Sequence, residues 1–327
     1  MGTSRSAVGL RGSDRREHDP RIRELGARSV KFVIAVAAWG ERCVSLFTGP
    51  VLNSHADALS RFAGEVRYVV HTDRPEVISA AVKTKTGRPV DVLPVVVQKN
   101  HYATARACQS EVIASLDRGD VLVLLNADIL VSVECFEAIS WRVAEGKKMV
   151  ICCGTRTLPT RFPGRDVACN ELLTWAMQNQ HPITRECFYR TGTTDLPWAI
   201  YFKRGASTVL RGFHLHPLAV VNDRPLKFEK SVDWDLASCF SNDEIYVVTG
   251  KNELALAEIS PAERRAKSLG RAFNAEDIIT WARQKTIPFH WWLFSHRIVI
   301  EGDDVDCGDD ALLSELMAHK NRTVQPA

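Results

Sequence analysis

The chain has 327 residues, with 42 Lys and Arg against 39 Asp and Glu, 45% hydrophobic residues and 25% charged ones. These proportions exclude a fibre, a wholly disordered chain and a short peptide, and the length suits one large or two closely joined domains. The charge excess of +3 sits entirely in residues 1–29, where seven Arg face four Asp and Glu, while the remaining residues carry 35 of each sign. A neutral folded part argues against a dedicated nucleic-acid binder, so no nucleic-acid partner is expected.

Residues 1–29 lack periodic apolar positions and read as a disordered basic arm, suited to peripheral contact with an anionic membrane or polymer. The opening MGTSRS also fits the M-G-x-x-x-[ST] acylation pattern. Nine scattered cysteines without CxxC spacing indicate free thiols in a reducing, cytoplasmic setting and give no zinc-type motif. The longest clean apolar stretch, Phe32 to Trp39, is too short to cross a bilayer and reads as a core strand.

From Val30 the sequence alternates. KFVIAVAAW is a buried strand, VSLFTGPVLNSHADALSRF a loop and helix, EVRYVVHTD a second strand and PEVISAAVKT a second helix. VDVLPVVV follows as a third strand, HYATARACQSEVIASLDRG as a third helix and GDVLVLLNADILVS as a fourth strand with a polar end. This order predicts βαβ units and a Rossmann-type, mainly parallel sheet flanked by helices. CFEAISWRVAEG then reads as a helix, MVICCGT as a strand, and CNELLTWAMQNQ as a helix; DLPWAIYFKRG and EIYVVTG are shorter strands. Residues 155–170, rich in Thr, Arg, Pro and Gly, predict a loop of the kind that often serves as a lid. ISPAERRAKSLG and AEDIITWARQ read as C-terminal helices, and FHLHP as an edge-strand feature.

Ligands of open α/β sheets bind beyond the carboxyl ends of the parallel strands. Those ends here are Trp39-Gly40-Glu41, His71-Thr72-Asp73, Gln98 to His101, and Asn126-Ala127-Asp128. No GxGxxG or GxxxxGK[ST] is present, which removes the main support for dinucleotide and P-loop sites. In VLVLLNADIL a carboxylate follows a run of apolar residues directly, a position from which an acid can hold a divalent cation bridging a diphosphate.

On that Asn-Ala-Asp segment and the element order over roughly residues 30–300, the sequence resembles the nucleotide-sugar glycosyltransferases of the GT-A fold, whose DxD motif ends the fourth strand. The resemblance implies a nucleotide-diphosphate-sugar donor, a carbohydrate or other hydroxyl acceptor, and Mn2+ or Mg2+. It places Asp128 on the metal and Asn126 on a sugar hydroxyl; the Asn is a departure that removes one charge from the motif. It also puts Trp39 and Glu41 near base or ribose, Asp73 on the base, and Arg106 on the diphosphate. A histidine near the C-terminus completes the metal site in this family. His290, after Pro288, is the first candidate and His296 the second, the two sharing a face if the segment is extended. Asp195, Asp233 and Asp235 are the candidate general bases for the acceptor hydroxyl.

The expected organisation is the arm (1–29), a donor-binding half (30–150) and an acceptor-binding half (151–327) of one GT-A-like domain. Two alternatives stay open: a noncatalytic nucleotide- or carbohydrate-binding protein on the same fold, and a sugar-1-phosphate nucleotidyltransferase. AAWGERC lacks the Gly-rich, Arg-containing loop expected of the latter.

Overall fold

A computed structural model describes residues 30–322 apart from 161, 230–234 and 264–266, so the N-terminal arm and Asp233 lie outside the described residues. The first strand, β1 (Lys31–Ala38), is almost continuously buried, as expected of a strand covered on both faces. It turns at Gly40 into α1 (Gly40–Leu46), a π-helical stretch (Phe47–Val51) and α2 (Leu52–Ser60). Gly49 leaves helical geometry inside that stretch, and Pro50 after it has no backbone N–H to donate, so the helix kinks there.

β2 (Glu65–Thr72), α3 (Pro75–Thr86), β3 (Val90–Pro94) and α4 (His101–Ala114) continue the alternation. Pro75 opens α3 and Gly87, at φ 65°, closes it in left-handed geometry. The Asn100 side chain caps α4 by accepting the Ala103 N–H at 2.9 Å. β3 stops at Pro94, leaving Val96 and Val97 exposed, so the predicted third strand is shorter than its apolar run.

The predicted fourth strand is two strands, β4 (Val121–Leu124) and β5 (Ile129–Val131), separated by the Asn126-Ala127-Asp128 turn. After α5 (Cys135–Ala144), MVICCGT likewise divides at Cys153 into β6 (Met149–Cys152) and β7 (Gly154–Thr157), which join different sheets. α6 (Cys169–Gln178), the short α7 (Pro182–Arg185), β8 (Ala199–Arg204), β9 (Ser207–Gly212) and β10 (His216–Val221) follow. The chain continues through β11 (Ile245–Val247), β12 (Leu256–Ile259), α8 (Ala275–Lys285), α9 (Pro288–Ser295), β13 (Ile298–Glu301) and α10 (Asp309–Arg322).

The central sheet has the order β11-β6-β10-β4-β1-β2-β3. β3, β2, β1 and β4 pair in parallel; β10 alone runs antiparallel, between β4 and β6, and β11 is parallel to β6. The expected α/β fold with a mainly parallel sheet flanked by helices is therefore the fold observed. Two smaller sheets, β5-β12-β7 and β13-β9-β8, build the less regular C-terminal part. One apolar cluster runs from Val30 to Ile300 through the central sheet, and a second packs α8, α9 and α10 against β8 and β9.

Three sequence expectations need correction. FHLHP is not at an edge: His216 begins β10, which lies inside the central sheet, and the register slips between Pro217 and Ala219, where proline cannot donate to the ladder. The described residues of ISPAERRAKSLG finish β12 and enter turns rather than a helix. HWWLFSHRIVI is not extended throughout, because Pro288 at the first helical position starts α9 and only Ile298 onward is strand.

Candidate active site

Strand order reverses direction at β1, which has β2 on one side and β4 on the other. The edge beyond the carboxyl ends of β1 and β4 is thus the switch point where open α/β sheets take ligands. Gly40 makes the first turn out of β1 at φ 74°, a conformation costly to any residue with a Cβ, and its N–H donates to the Asp73 carboxylate at 3.1 Å. Asp73, expected to meet a base, fastens the end of β2 to the start of α1. Trp39 packs on His101, with ring centroids 4.8 Å apart, which joins the end of β1 to the start of α4. Glu41 is exposed in the first turn of α1.

Asn126 is exposed and its carbonyl accepts the Ile129 N–H at 3.2 Å, closing the turn after β4. Asp128 is half-buried. Burial, then the negative charge of Glu258, pushes its carboxyl up to about 7, while Arg156 and Arg42 oppose the shift. The Cys43 thiol is likewise pushed up, first by burial and then by Asp128, with a smaller push from Asp73. Asp73 and Asp128, from different strand ends, therefore act on one group of α1. Below the turn, His216 Nε2 lies 2.7 Å from the Leu124 carbonyl, so β10 supports the last residue of β4.

Sequence reasoning missed Glu258 and Arg156. β12 pairs with β5 so that Glu258 stands opposite Ile129, and with β7 so that it stands beside Arg156. Arg156 Nε is 3.1 Å from Glu258 Oε2, and Ser260 Oγ donates to Glu258 Oε1 at 3.1 Å. The Arg156 guanidinium also sits 5.2 Å from the centre of the Trp198 ring. For Glu258 the available signal was the single polar position in the apolar run LALAEI; GTRT around Arg156 carries no such signal.

Trp198 leads back to Asp195. Its Oδ1 is buried and has no hydrogen-bond partner among the described residues, and its N–H donates to the Lys267 carbonyl at 3.1 Å. An unsatisfied buried carboxylate oxygen calls for an explanation. Upstream, Gly192 is obligatory: a Cβ there would stand 2.0 Å from the Glu186 carbonyl oxygen.

The remaining candidates lie in other surroundings. Arg106 donates from Nη1 to the Glu229 carbonyl at 3.2 Å, and Asp235 Oδ2 accepts the Glu229 N–H at 2.7 Å, so both hold one short segment. His290 is fully buried; its Nδ1 accepts the Ile287 N–H at 3.1 Å, and its ring lies 4.3 Å from that of His214. His296 follows α9, with Nδ1 2.9 Å from the Trp292 carbonyl. The helical path between them removes the shared face expected of an extended segment.

Among the described residues no three His, Cys, Asp or Glu side chains gather into a metal cage. Asp128 and Glu258 are the two acids at this edge, and Arg156, paired with Glu258, offsets part of their charge. Among the described residues no helix is long and apolar enough to cross a membrane.

No family model matches the chain, and no curated protein matches it by sequence. Among solved structures it is similar to S. aureus TarS, at 13% identity and a TM-score of 0.38 over 88% of this chain, and it spans 43% of that chain. It is also similar to the mannosyltransferase PcManGT from Pyrobaculum calidifontis in complex with GDP-Man and Mn2+, at 12% identity and TM-score 0.42, covering 90% of this chain and 71% of that one. The inositol-1-phosphate CTP transferase from T. maritima matches at 10% identity and TM-score 0.34, over 79% of this chain and 98% of that one. Likeness at this level transfers no residue roles.

Proposed function

We propose that the protein transfers a sugar from a nucleotide-diphosphate-sugar donor to a hydroxyl of a carbohydrate or other acceptor, assisted by Mn2+ or Mg2+. The observation that carries this proposal is that the parallel pairing of β1 with β2 and with β4 brings Trp39, Gly40, Asp73 and Asp128 to one edge of the sheet, where Asp73 holds the Gly40 turn. Trp39 offers a stacking face for the base, and exposed Asn126 a hydrogen-bonding group for a sugar hydroxyl. Asp128 would hold the cation, with Glu258 as its neighbour; the bound cation would neutralise charge on the departing diphosphate. Residues 30–150 would serve the donor and the later residues the acceptor.

Asp195 is assigned as the general base. Its half-buried carboxylate would take the proton of the acceptor hydroxyl as that oxygen bonds to the anomeric carbon and the bond from that carbon to the diphosphate oxygen breaks. Trp198, under Arg156, supplies an apolar face on which a sugar ring can lie.

The test is calorimetric titration of UDP, GDP, CDP and ADP with and without Mn2+, on the native chain and on Asp128→Ala. At least one nucleotide should bind in a Mn2+-dependent manner that Asp128→Ala abolishes. Failure of all four would end the proposal, and binding without slow hydrolysis of the matching nucleotide sugar would reduce it to a binding module.

A further inference from the structure

An open groove runs along the outer flank of the central sheet, between α3 and β3. Glu76, Ser79, Ala80 and Lys83 of α3 line one side of it, and Val90 and Val92 of β3 the other. β3 ends the order of the sheet, and among the described residues only β2 pairs with it. Ile78 and Val82 of α3 are buried, so the helical period leaves Glu76, Ser79, Ala80 and Lys83 together on a face turned away from the core. Asp91, on the opposite face of β3 from Val90 and Val92, is held by Arg67 at 3.0 Å.

The charges on this flank are arranged symmetrically. Glu76 and Lys83 stand three residues to either side of Ser79-Ala80, both are exposed, and among the described residues neither forms an ion pair. Two turns of helix, about 10 Å, keep them from meeting each other. A second α3 laid antiparallel on the first and centred on Ser79-Ala80 brings each Glu76 to the Lys83 of the other copy, and the small side chains at the crossing let the two backbones approach. The same arrangement sets the positive end of each helix dipole beside the negative end of the other. A two-fold contact requires this self-matching pattern, in which residue i meets j and j meets i, whereas an unrelated partner requires no symmetry at all.

We infer that the protein forms a two-fold dimer through this flank, with α3 antiparallel to its copy, Glu76 and Lys83 paired across the axis in both directions, and Val90 and Val92 along the floor of the contact. One helix and one edge strand from each copy make a small surface, which places the dimer among the weaker specific associations. The inference uses none of the groups assigned to sugar transfer and does not depend on that reading.

Sedimentation equilibrium of the full chain tests it, at concentrations up to about 1 mM, the weak limit of measurable association. The mass should rise with concentration from 36.5 kDa toward twice that value. Glu76→Lys sets lysine against lysine twice across the axis, and Lys83→Glu sets glutamate against glutamate twice, so each variant alone should dimerise at least about tenfold more weakly. Mixed one to one, the two variants regain both opposite-charge contacts and should associate within about threefold of the native strength, which also shows that both are folded. A native chain that stays at 36.5 kDa throughout, a dimer that neither substitution weakens, or a mixture no stronger than either variant alone would overturn the inference.

Discussion

Asp128→Asn tests the electrostatics of the candidate site without changing its shape. In the folded chain this carboxyl is pushed from 3.8 to about 7, first by burial and then by Glu258. Below pH 3.8 both folded and unfolded states hold the proton and there is no penalty. Between 3.8 and 7 the unfolded state ionises first, so the native Asp128 costs stability progressively as the pH rises, and above 7 the full cost stands. At about 1.4 kcal/mol per pH unit the ceiling is about 4 kcal/mol at pH 8 and about 1.6 kcal/mol at pH 5. Water reaches the half-buried carboxyl and screens it, so we expect about half of each: a gain for the Asn variant of about 2 kcal/mol at pH 8 and under about 1 kcal/mol at pH 5. Urea denaturation at the two pH values, with unchanged m, reads this directly, and nucleotide titration should show the same variant losing Mn2+-dependent binding. A variant less stable than the native chain at pH 8, or equally stabilised at both pH values, would refute the reasoning.

Glu258→Gln removes a negative charge beside Asp128, so the Asp128 carboxyl should titrate at lower pH in carbon-detected NMR; an unmoved midpoint would separate the two groups. Gly40→Ala introduces a Cβ at φ 74° with no atom within 4 Å, so its effect is on the backbone alone. It should cost about 1–2 kcal/mol in urea denaturation and weaken nucleotide binding through the turn held by Asp73. Arg211→Met leaves buried Asp309, whose Oδ2 lies 2.9 Å from Arg211 Nε, without that partner and should cost about 3–5 kcal/mol. Adding Asp309→Asn should restore part of the loss, and a double variant no more stable than Arg211→Met would deny the coupling.

The parallel half was legible because strands covered on both faces are written as continuous apolar runs, and capping signals such as Pro75 and Gly87 delimit the helix between them. Asp128 was legible for the same reason, as the first acid after such a run. Glu258 and Arg156 were not, since each lies in a four-residue strand of a small sheet whose partners are remote in sequence. His290 was read in a loop after Pro288, whereas Pro288 opens the helix that carries it. FHLHP was misplaced because the insertion of an antiparallel strand into a parallel sheet leaves no local pattern: β10 owes its interior position to β4 and β6.

That insertion has a consequence for biosynthesis. β4 pairs with β1, which precedes it in the chain, but its other edge is closed only by residues 219–221 of β10. On the ribosome that edge stays unpaired while about 95 further residues are added, roughly 5–20 s at 5–20 residues per second. For that interval the nascent chain presents an open strand of Val and Leu, the kind of template that recruits other chains. Slow codons between β4 and β10 should therefore lower the soluble yield, whereas slowing after β10 should not.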